Sequence, residues 1–546
     1  MLKKINLSLV NTVYICMMIV YMTVREILPL NFLIDSVAVS AVIFAIGFAL
    51  ILLDILTKKK CIEGVMQDLL IAFLLVCCIS SVINVKYGGI FGNLKFIAAL
   101  GIEYLIFFSF SRKMSREKIT KLLNPISVTL IITWFIPVFI SILTYFFGID
   151  IVVSGRGTWG EANQGFSLEY LRLWGIFQDP NYAGVTSIIA IFAALRLIFT
   201  NKNLVHRILL GVSIVVQVMY IVLGGSRAAL LLFLGATVIY FVYRYAYECK
   251  KDIKAIGLAV GKCALSVAVA VILVFGTKYG LPYVKAIAFP ENSAVSLTFA
   301  SMYEKLYDIS GYEYVLNAPV SDIPDDEPST DEEPSTDEEG TTNEEGTTNE
   351  EPSTEPGTTD EPDVEKPPVI TPIDRTDLSE SKDVSNGRFT RWKQTFEIFL
   401  NAPFFGTSPR NLTVFARNHN SDTIIAKFGI APHNGYLDVL VETGIIGFSV
   451  LGAAILLALI VIFRKFFGKN GFSEDRGFLL VGILCLCGIA VFISDVFMIF
   501  SINSLLFWVL LGFAYNNVYE HTDKGIIGTV YEKTVGKLIS KITSGK

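Results

Sequence analysis

The chain has 546 residues, 53% of them hydrophobic and only 17% charged, and its mean hydropathy is +0.56. Soluble domains carry about 25% charged residues, so a soluble globular protein is excluded; repeated apolar runs of about 20 residues instead indicate an all-α polytopic membrane protein. The net charge of −5 conceals an asymmetry: residues 322–365 hold nineteen Asp and Glu and no Lys or Arg, and the remainder of the chain carries +14.

Twelve apolar runs follow in chain order, at about 7–24, 31–54, 66–84, 92–111, 122–147, 181–199, 205–223, 227–247, 256–276, 436–463, 477–496 and 499–519. Lys3 and Lys4 precede the first run as they would in a signal peptide. Its long apolar core and lack of a small-residue cleavage site predict a retained span. Placing the N-terminus inside puts "TKKK" (57–60), "SRKMSREK" (111–118), "NKNLVHR" (201–207), "ECKKDIK" (248–254) and "FRKFFGK" (463–469) on the cytoplasmic side. The Lys-bearing tail joins them, so both termini are expected to be cytoplasmic by the positive-inside rule. The predicted organisation is nine spans over 1–276 with an outer loop at about 148–180, a large extracytoplasmic loop at 277–435, three spans over 436–519 and a basic tail at 520–546.

Within the large loop, a hexapeptide runs five times from Asp325 to Thr354, as "DDEPST DEEPST DEEGTT NEEGTT NEEPST". It has no apolar residues to bury and contains Pro and Gly, so about 322–383 is predicted to be a disordered acidic linker. Deleting 325–354 is therefore expected to leave function largely intact; complete loss would assign the repeat a direct role. Residues 385–410, "SNGRFTRWKQTFEIFLNAPFFGTSPR", read differently. Phe389, Trp392, Phe396 and Phe399 recur at helical spacing, which predicts an amphipathic helix over about 388–401 lying against the outer leaflet or the helix bundle.

No Gly-rich phosphate loop, paired CxxC or HExxH pattern is present, and the eight cysteines lack His or carboxylate neighbours at metal-ligand spacing. Neither a metal nor a cofactor is expected, and no nucleic-acid partner. The predicted cytoplasmic loops are too short for a soluble catalytic domain, so chemistry is expected at the outer face or between helices. Of the four histidines only His419 and His433 face outward in this topology. His433 opens the stretch "HNGYLDVLVETGIIG" where a helix enters the membrane; it either caps and anchors that helix or accepts a proton near neutral pH. Asn434, Asp438 and Glu442 follow at i, i+4 and i+8 along one helical face, either pairing structurally or supporting a site.

Outward arginines include Arg172, Arg227, Arg388 and Arg391. Guanidinium forks match phosphate oxygens, so converging arginines suggest a diphosphate, while any single one also serves as an interface anchor. In "QDPN" (178–181), Asp179 and Pro180 read as N-cap and first residue of a helix. That leaves Asn181 pointing into the bundle or a cavity.

Four segments occur in order: "RLWGIFQDPNYAG" (172–184), "LGGSRAALL" (223–231), "RFTRWKQTFEIFLNAPFFGTSP" (388–409) and "HNGYLDVLVETGIIG" (433–447). In this order, with twelve spans and a large loop before the tenth, the chain resembles the O-antigen ligase/polymerase superfamily of bacterial membrane glycosyltransferases. The resemblance covers most of the chain except the acidic repeat; "GTSP" departs from the more usual G-x-G after the amphipathic helix. It implies inverting glycosyl transfer from an undecaprenyl-diphosphate-linked glycan at the outer face of the bacterial cytoplasmic (inner) membrane. Arg172, Arg227 and Arg388 or Arg391 would bind the donor diphosphate, and His433 would activate the acceptor hydroxyl. Asn181, Asn434, Asp438 and Glu442 would support them. A flippase and a chain-length regulator of the same pathway are the implied partners. The acidic, Pro/Thr-rich insert resembles spacers of surface proteins from single-membrane bacteria, which lack a lipopolysaccharide core. That favours a polymerase of capsule or exopolysaccharide repeat units over a ligase. A lipid-linked glycan flippase is the competing class, and the absence of any evident duplication between the halves argues against it.

Overall fold

Capping residues written into the sequence set where most of the helices begin. A computed structural model describes residues 6–34, 36–87, 90–154, 162–247, 253–289, 294–310, 312–316, 387–468, 471–519 and 523–536. The acidic linker expected at 322–383 lies outside them. Before the large loop come α1 (Leu7–Glu26), α2 (Val37–Thr57), α3 (Val65–Ile83), α4 (Ile90–Ile102), α5 (Arg116–Phe146), α6 (Pro180–Thr200), α7 (Leu204–Leu223), α8 (Arg227–Ala246) and α9 (Ile253–Phe275). The side chains of Asn6, Ser36, Ser115, Asp179, Asn203 and Ser226 each accept a backbone N–H of the first turn of α1, α2, α5, α6, α7 and α8. Such caps satisfy donors that a helix start would otherwise leave unpaired in an apolar medium. In the loop and beyond it lie α10 (Leu281–Ala288), α11 (Ala294–Ser310), α12 (Arg388–Leu400), α13 (Leu412–His419), α14 (Ile424–Phe428), α15 (Gly435–Phe466), α16 (Glu474–Ile489), α17 (Ile502–Val518) and α18 (Gly525–Tyr531).

Among the described residues, ten helices are long and apolar enough to cross a membrane. They correspond to the first ten predicted runs. The ninth continues through a π-helical turn to Ala288, well past its expected end. The last two runs differ. α16 and α17 have 16 and 17 residues, and a non-helical segment, 490–501, separates them. Their shortness follows from position: every side chain of α17 from Ile502 to Asn516 is buried, as expected of a helix apolar on all sides. Around it, α6 buries most of its length, whereas α2 and α9 leave much of their apolar surface exposed. At one end of the bundle a buried ion pair ties three helices: Arg196 Nε lies 2.6 Å from Asp475 Oδ1, and Thr120 Oγ1 donates to Asp475 Oδ2 at 2.5 Å.

The outer segments add strands to an otherwise helical fold. Residues expected to form a plain loop at 148–180 build β1 (Asp150–Ser154), β2 (Ala162–Ser167) and β3 (Arg172–Gly175), and β4 (Glu313–Leu316) joins them in an antiparallel sheet ordered β3-β2-β1-β4. Tyr303 and Tyr307 of α11 close one side of the sheet; their hydroxyls donate to Gly175 O at 3.1 Å and Gln164 Oε1 at 2.9 Å. The amphipathic helix lies where it was expected, at Arg388–Leu400, but its buried face is Thr395, Ile398 and Phe399. Phe389 and Phe396 are exposed, so only part of the aromatic stripe packs on protein.

Candidate functional site

The two segments that bracket the site lock together through their backbones. α15 is broken at Gly444 (φ 66, ψ −175), which frees carbonyls in the preceding turn. The loop after α12 uses them: Thr407 N–H donates to Val441 O at 2.8 Å and Ser408 N–H to Glu442 O at 3.0 Å. In return, Ile445 N–H donates to Pro403 O at 2.8 Å and Ile446 N–H to Phe404 O at 3.3 Å. Asn84 Nδ2 donates to Gly406 O at 2.9 Å and fastens the loop to α3. "NAPFFGTSP" and "ETGIIG" are therefore two halves of one joint. Ser408, where a glycine is more usual, keeps a left-handed φ of 77 and is held by Asn93 Nδ2, which donates to its Oγ at 2.9 Å.

That joint fixes the distance between α12 and the start of α15, where His433 sits. Asn434 is the N-cap of α15, and its Oδ1 accepts from Tyr436 N and Leu437 N, both at 3.1 Å. His433, one residue earlier, takes a left-handed φ of 52. Histidine tolerates this region better than most residues, yet it remains sparsely populated outside functional and turn positions. Trp392 Nε1 donates to Pro432 O at 3.2 Å and pins the preceding residue to α12. The imidazole is half-buried and makes no hydrogen bond to a described residue. Burial, aided by the Arg391 and Arg388 guanidinium groups, pushes its pKa down to about 4, against the opposing pull of Asp179. The side chain is therefore neutral near pH 7, with a lone pair open to a proton, and the same shift makes it a weaker base than a free imidazole. The other outward histidine is structural: His419 stacks on Phe415 with ring centroids 4.2 Å apart, and its Nε2 lies 3.2 Å from Tyr87 Oη.

Arg172 is held from two sides. Its Nε donates to Gly224 O at 2.7 Å and its Nη2 to Asn181 Oδ1 at 3.0 Å, while its guanidinium lies 4.8 Å from the Trp174 ring centroid. The first bond joins β3 to the "LGGSR" turn, and Arg227 starts α8 three residues later. Arg227 is exposed and has no hydrogen bond or ion pair among the described residues. Asn181 also donates its backbone N–H to Asp179 Oδ1 at 2.7 Å. Hydrogen bonds thus run from Arg172 through Asn181 to Asp179, and Asp179, Arg388 and Arg391 all lie within electrostatic reach of the His433 imidazole.

Asp438 and Glu442 do not hold His433. Asp438 is buried among Glu442, Ser494 and Asp495, and Glu442 Oε1 accepts the backbone N–H of Arg410 at 3.3 Å. Asp179, Asp495 and Glu26, none of them read from the sequence as a site residue, surround the same region together with Asp438. Asp179, Asp495, Asp438 and Glu26 all lie within electrostatic reach of Tyr182 on α6. Asp495 Oδ2 accepts from Asn503 Nδ2 at 2.9 Å. Asp495 and Glu26 could have been noticed as isolated charges in or beside apolar runs, whereas Asp179 was accounted for by its capping role.

Residues 212–452 match the family model described as O-antigen ligase. The match contains Arg227, Arg388, Arg391 and His433, while Arg172 and Asn181 precede it. No curated protein matches the chain.

Proposed function

We infer from the match over residues 212–452 that the chain belongs to the O-antigen ligase/polymerase superfamily of membrane glycosyltransferases, and from that premise we propose that it polymerises lipid-diphosphate-linked oligosaccharide repeat units into a surface polysaccharide. The observation that carries the reading is a neutral, half-buried His433 within electrostatic reach of Arg388, Arg391 and Asp179, the last of these hydrogen-bonded to Asn181, which holds Arg172.

The donor is an undecaprenyl-diphosphate-linked glycan at the extracytoplasmic face. The acceptor hydroxyl oxygen of a second repeat unit attacks the anomeric carbon from the side opposite the diphosphate. Its proton passes to the His433 imidazole as the new C–O bond forms. The bond from the anomeric carbon to the diphosphate oxygen breaks, and lipid diphosphate leaves with inverted configuration at the sugar. Diphosphate requires charge stabilisation as it departs, which is the role of Arg172, Arg227, Arg388 and Arg391. Asn181 holds Arg172 in register, and Asn434 fixes the helix start that presents His433.

The arginines separate by their present partners. Arg227→Ala removes a side chain with no bond to lose, so the protein is expected to fold normally while transfer falls by about 10- to 100-fold. Arg172→Ala also removes bonds to Gly224 and Asn181 and is expected to cost about 1.5–3 kcal/mol of stability as well as activity. Thermal unfolding of the two purified variants checks the contrast; equal destabilisation would contradict it.

Incubating purified protein with lipid-linked repeat units and sizing the glycan tests the reaction itself. A ladder of multiples supports a polymerase, and a single transfer to another acceptor would make it a ligase. Transbilayer movement of unchanged substrate would make it a flippase.

A further inference from the structure

A basic cavity lies far in sequence from these motifs. A cavity of about 380 Å³ opens between the start of α1, the end of α2 and the loop leading into α5. Lys58, Lys60, Lys113 and Lys118 line it. They come from the "TKKK" and "SRKMSREK" loops, which the positive-inside pattern puts on the cytoplasmic face. Loop charge alone sets orientation and needs no cavity, so the convergence of both loops on one space calls for a separate account.

The opposing charge in the cavity is small. Asp54 is the one carboxylate in the lining, and it is engaged, since its Oδ2 accepts the backbone N–H of Cys61 at 2.9 Å. Lys113 pairs with Glu63. Lys60 Nζ donates to Phe110 O at 3.0 Å, but burial and the neighbouring Lys118, Lys58 and Lys113 push its ammonium down to about 8 despite Asp54. Lys58 and Lys118 are exposed and make no ion pair among the described residues. The first turns of α1 and α5, helices of 20 and 31 residues, flank the same space and add positive dipole ends. Asn11 also lines the cavity. It is 6% exposed, and its Oδ1 has no hydrogen-bond partner. That oxygen is an acceptor, so a water or a hydroxyl donor completes it, not the anionic oxygens themselves.

We propose that this cavity binds a phosphate-bearing anion at the membrane face opposite the transfer site, with Lys58, Lys60 and Lys118 as its cationic wall. The phosphate belongs either to an anionic lipid headgroup or to a water-soluble phosphate compound. Leu7, Phe110 and Met114 line the same space and give a lipid's glycerol backbone an apolar surface to rest on. Occupancy would offset the repulsion between the lysines that follow α2 and those that lead into α5.

The test uses the purified full-length protein in zwitterionic detergent micelles, titrated separately with phosphatidylglycerol and with inorganic phosphate. Bound ligand is read by native mass spectrometry and by the shift in melting temperature. Lys58→Gln/Lys118→Gln changes two exposed side chains, so folding is expected to be preserved. Removing two interfacial lysines is expected to raise the apparent Kd about thirty-fold. Lys60→Gln, checked for unchanged elution on size exclusion, should weaken binding as well. Lys202→Gln, an exposed lysine on the same face, should leave it unchanged. Saturable phosphatidylglycerol binding lost in the double variant identifies a lipid headgroup; the same pattern with inorganic phosphate alone identifies a soluble ligand. Equal binding by wild type and double variant, or no binding of either ligand, overturns the proposal.

Discussion

Replacing His433 by glycine is expected to lower glycosyl transfer by about 10²- to 10⁴-fold, the usual contribution of a positioned general base, while leaving the melting temperature nearly unchanged. The second half of this expectation comes from the backbone. His433 has a φ of 52, which costs an L-residue about 1–2 kcal/mol and glycine almost nothing. The entropy that glycine loses on folding offsets most of that gain. A histidine that merely anchored the start of α15 would show the opposite pattern, with stability falling and transfer largely kept.

The pH profile follows from the same group. A base acts in its neutral form, and His433 is neutral above about pH 4. The rate with free enzyme and substrate, kcat/KM, should therefore stay flat from pH 8 down through pH 6, where an ordinary imidazole with a pKa of about 6.5 would already have lost more than half its activity. Arg391→Gln removes a cation that holds the pKa down, so its acid limb should move to higher pH. A bound diphosphate neutralises the same arginines, so kcat should fall at a higher pH than kcat/KM. An unshifted limb in Arg391→Gln would separate the two side chains functionally.

The second large effect is structural and falls on Gly444 and Gly406. A Cβ on Gly444 would lie 2.3 Å from the carbonyl of Phe404, and one on Gly406 would lie 2.4 Å from the carbonyl carbon of Glu442. Both obstacles are backbone, and both glycines have left-handed φ values, 66 and 70. Alanine at either position must open the joint between the α12 loop and α15, at a cost above about 4 kcal/mol, in the range reserved for severe substitutions. The expected result is loss of most monodisperse protein on size exclusion, or loss of transfer in whatever folds. Gly452, in the same helix, has open space around its Cβ position, and alanine there should be neutral or slightly stabilising. A wild-type melting temperature for Gly444→Ala would show that the joint does not hold the site together.

Much of the helical fold is legible in the chain because apolar length and capping residues are local signals. Asn203, Ser226 and Asn434 each mark a helix start to within a residue. What hydropathy cannot show is a break in an unbroken apolar run. Gly444 interrupts α15 inside "ETGIIGFSV", and only its contact with Phe404 gives the break a purpose. The sheet was hidden for a different reason. Its strands are four to six residues long, and Ile151 pairs with Leu316 across an intervening stretch that holds α6 to α11. Arg172, Asn181, Arg388, Arg391 and His433 could be named individually from residue type and topology. That Asp179, bonded to Asn181, also lies within electrostatic reach of His433 required the tertiary fold, because locally it is fully explained as a cap.

The most direct test of the account is a side-by-side reconstitution of wild type and His433→Gly with lipid-linked repeat units, reading glycan length together with the melting temperature of each protein. The account predicts a ladder of repeat-unit multiples from wild type and none from the equally stable variant. A full ladder from folded His433→Gly would contradict it.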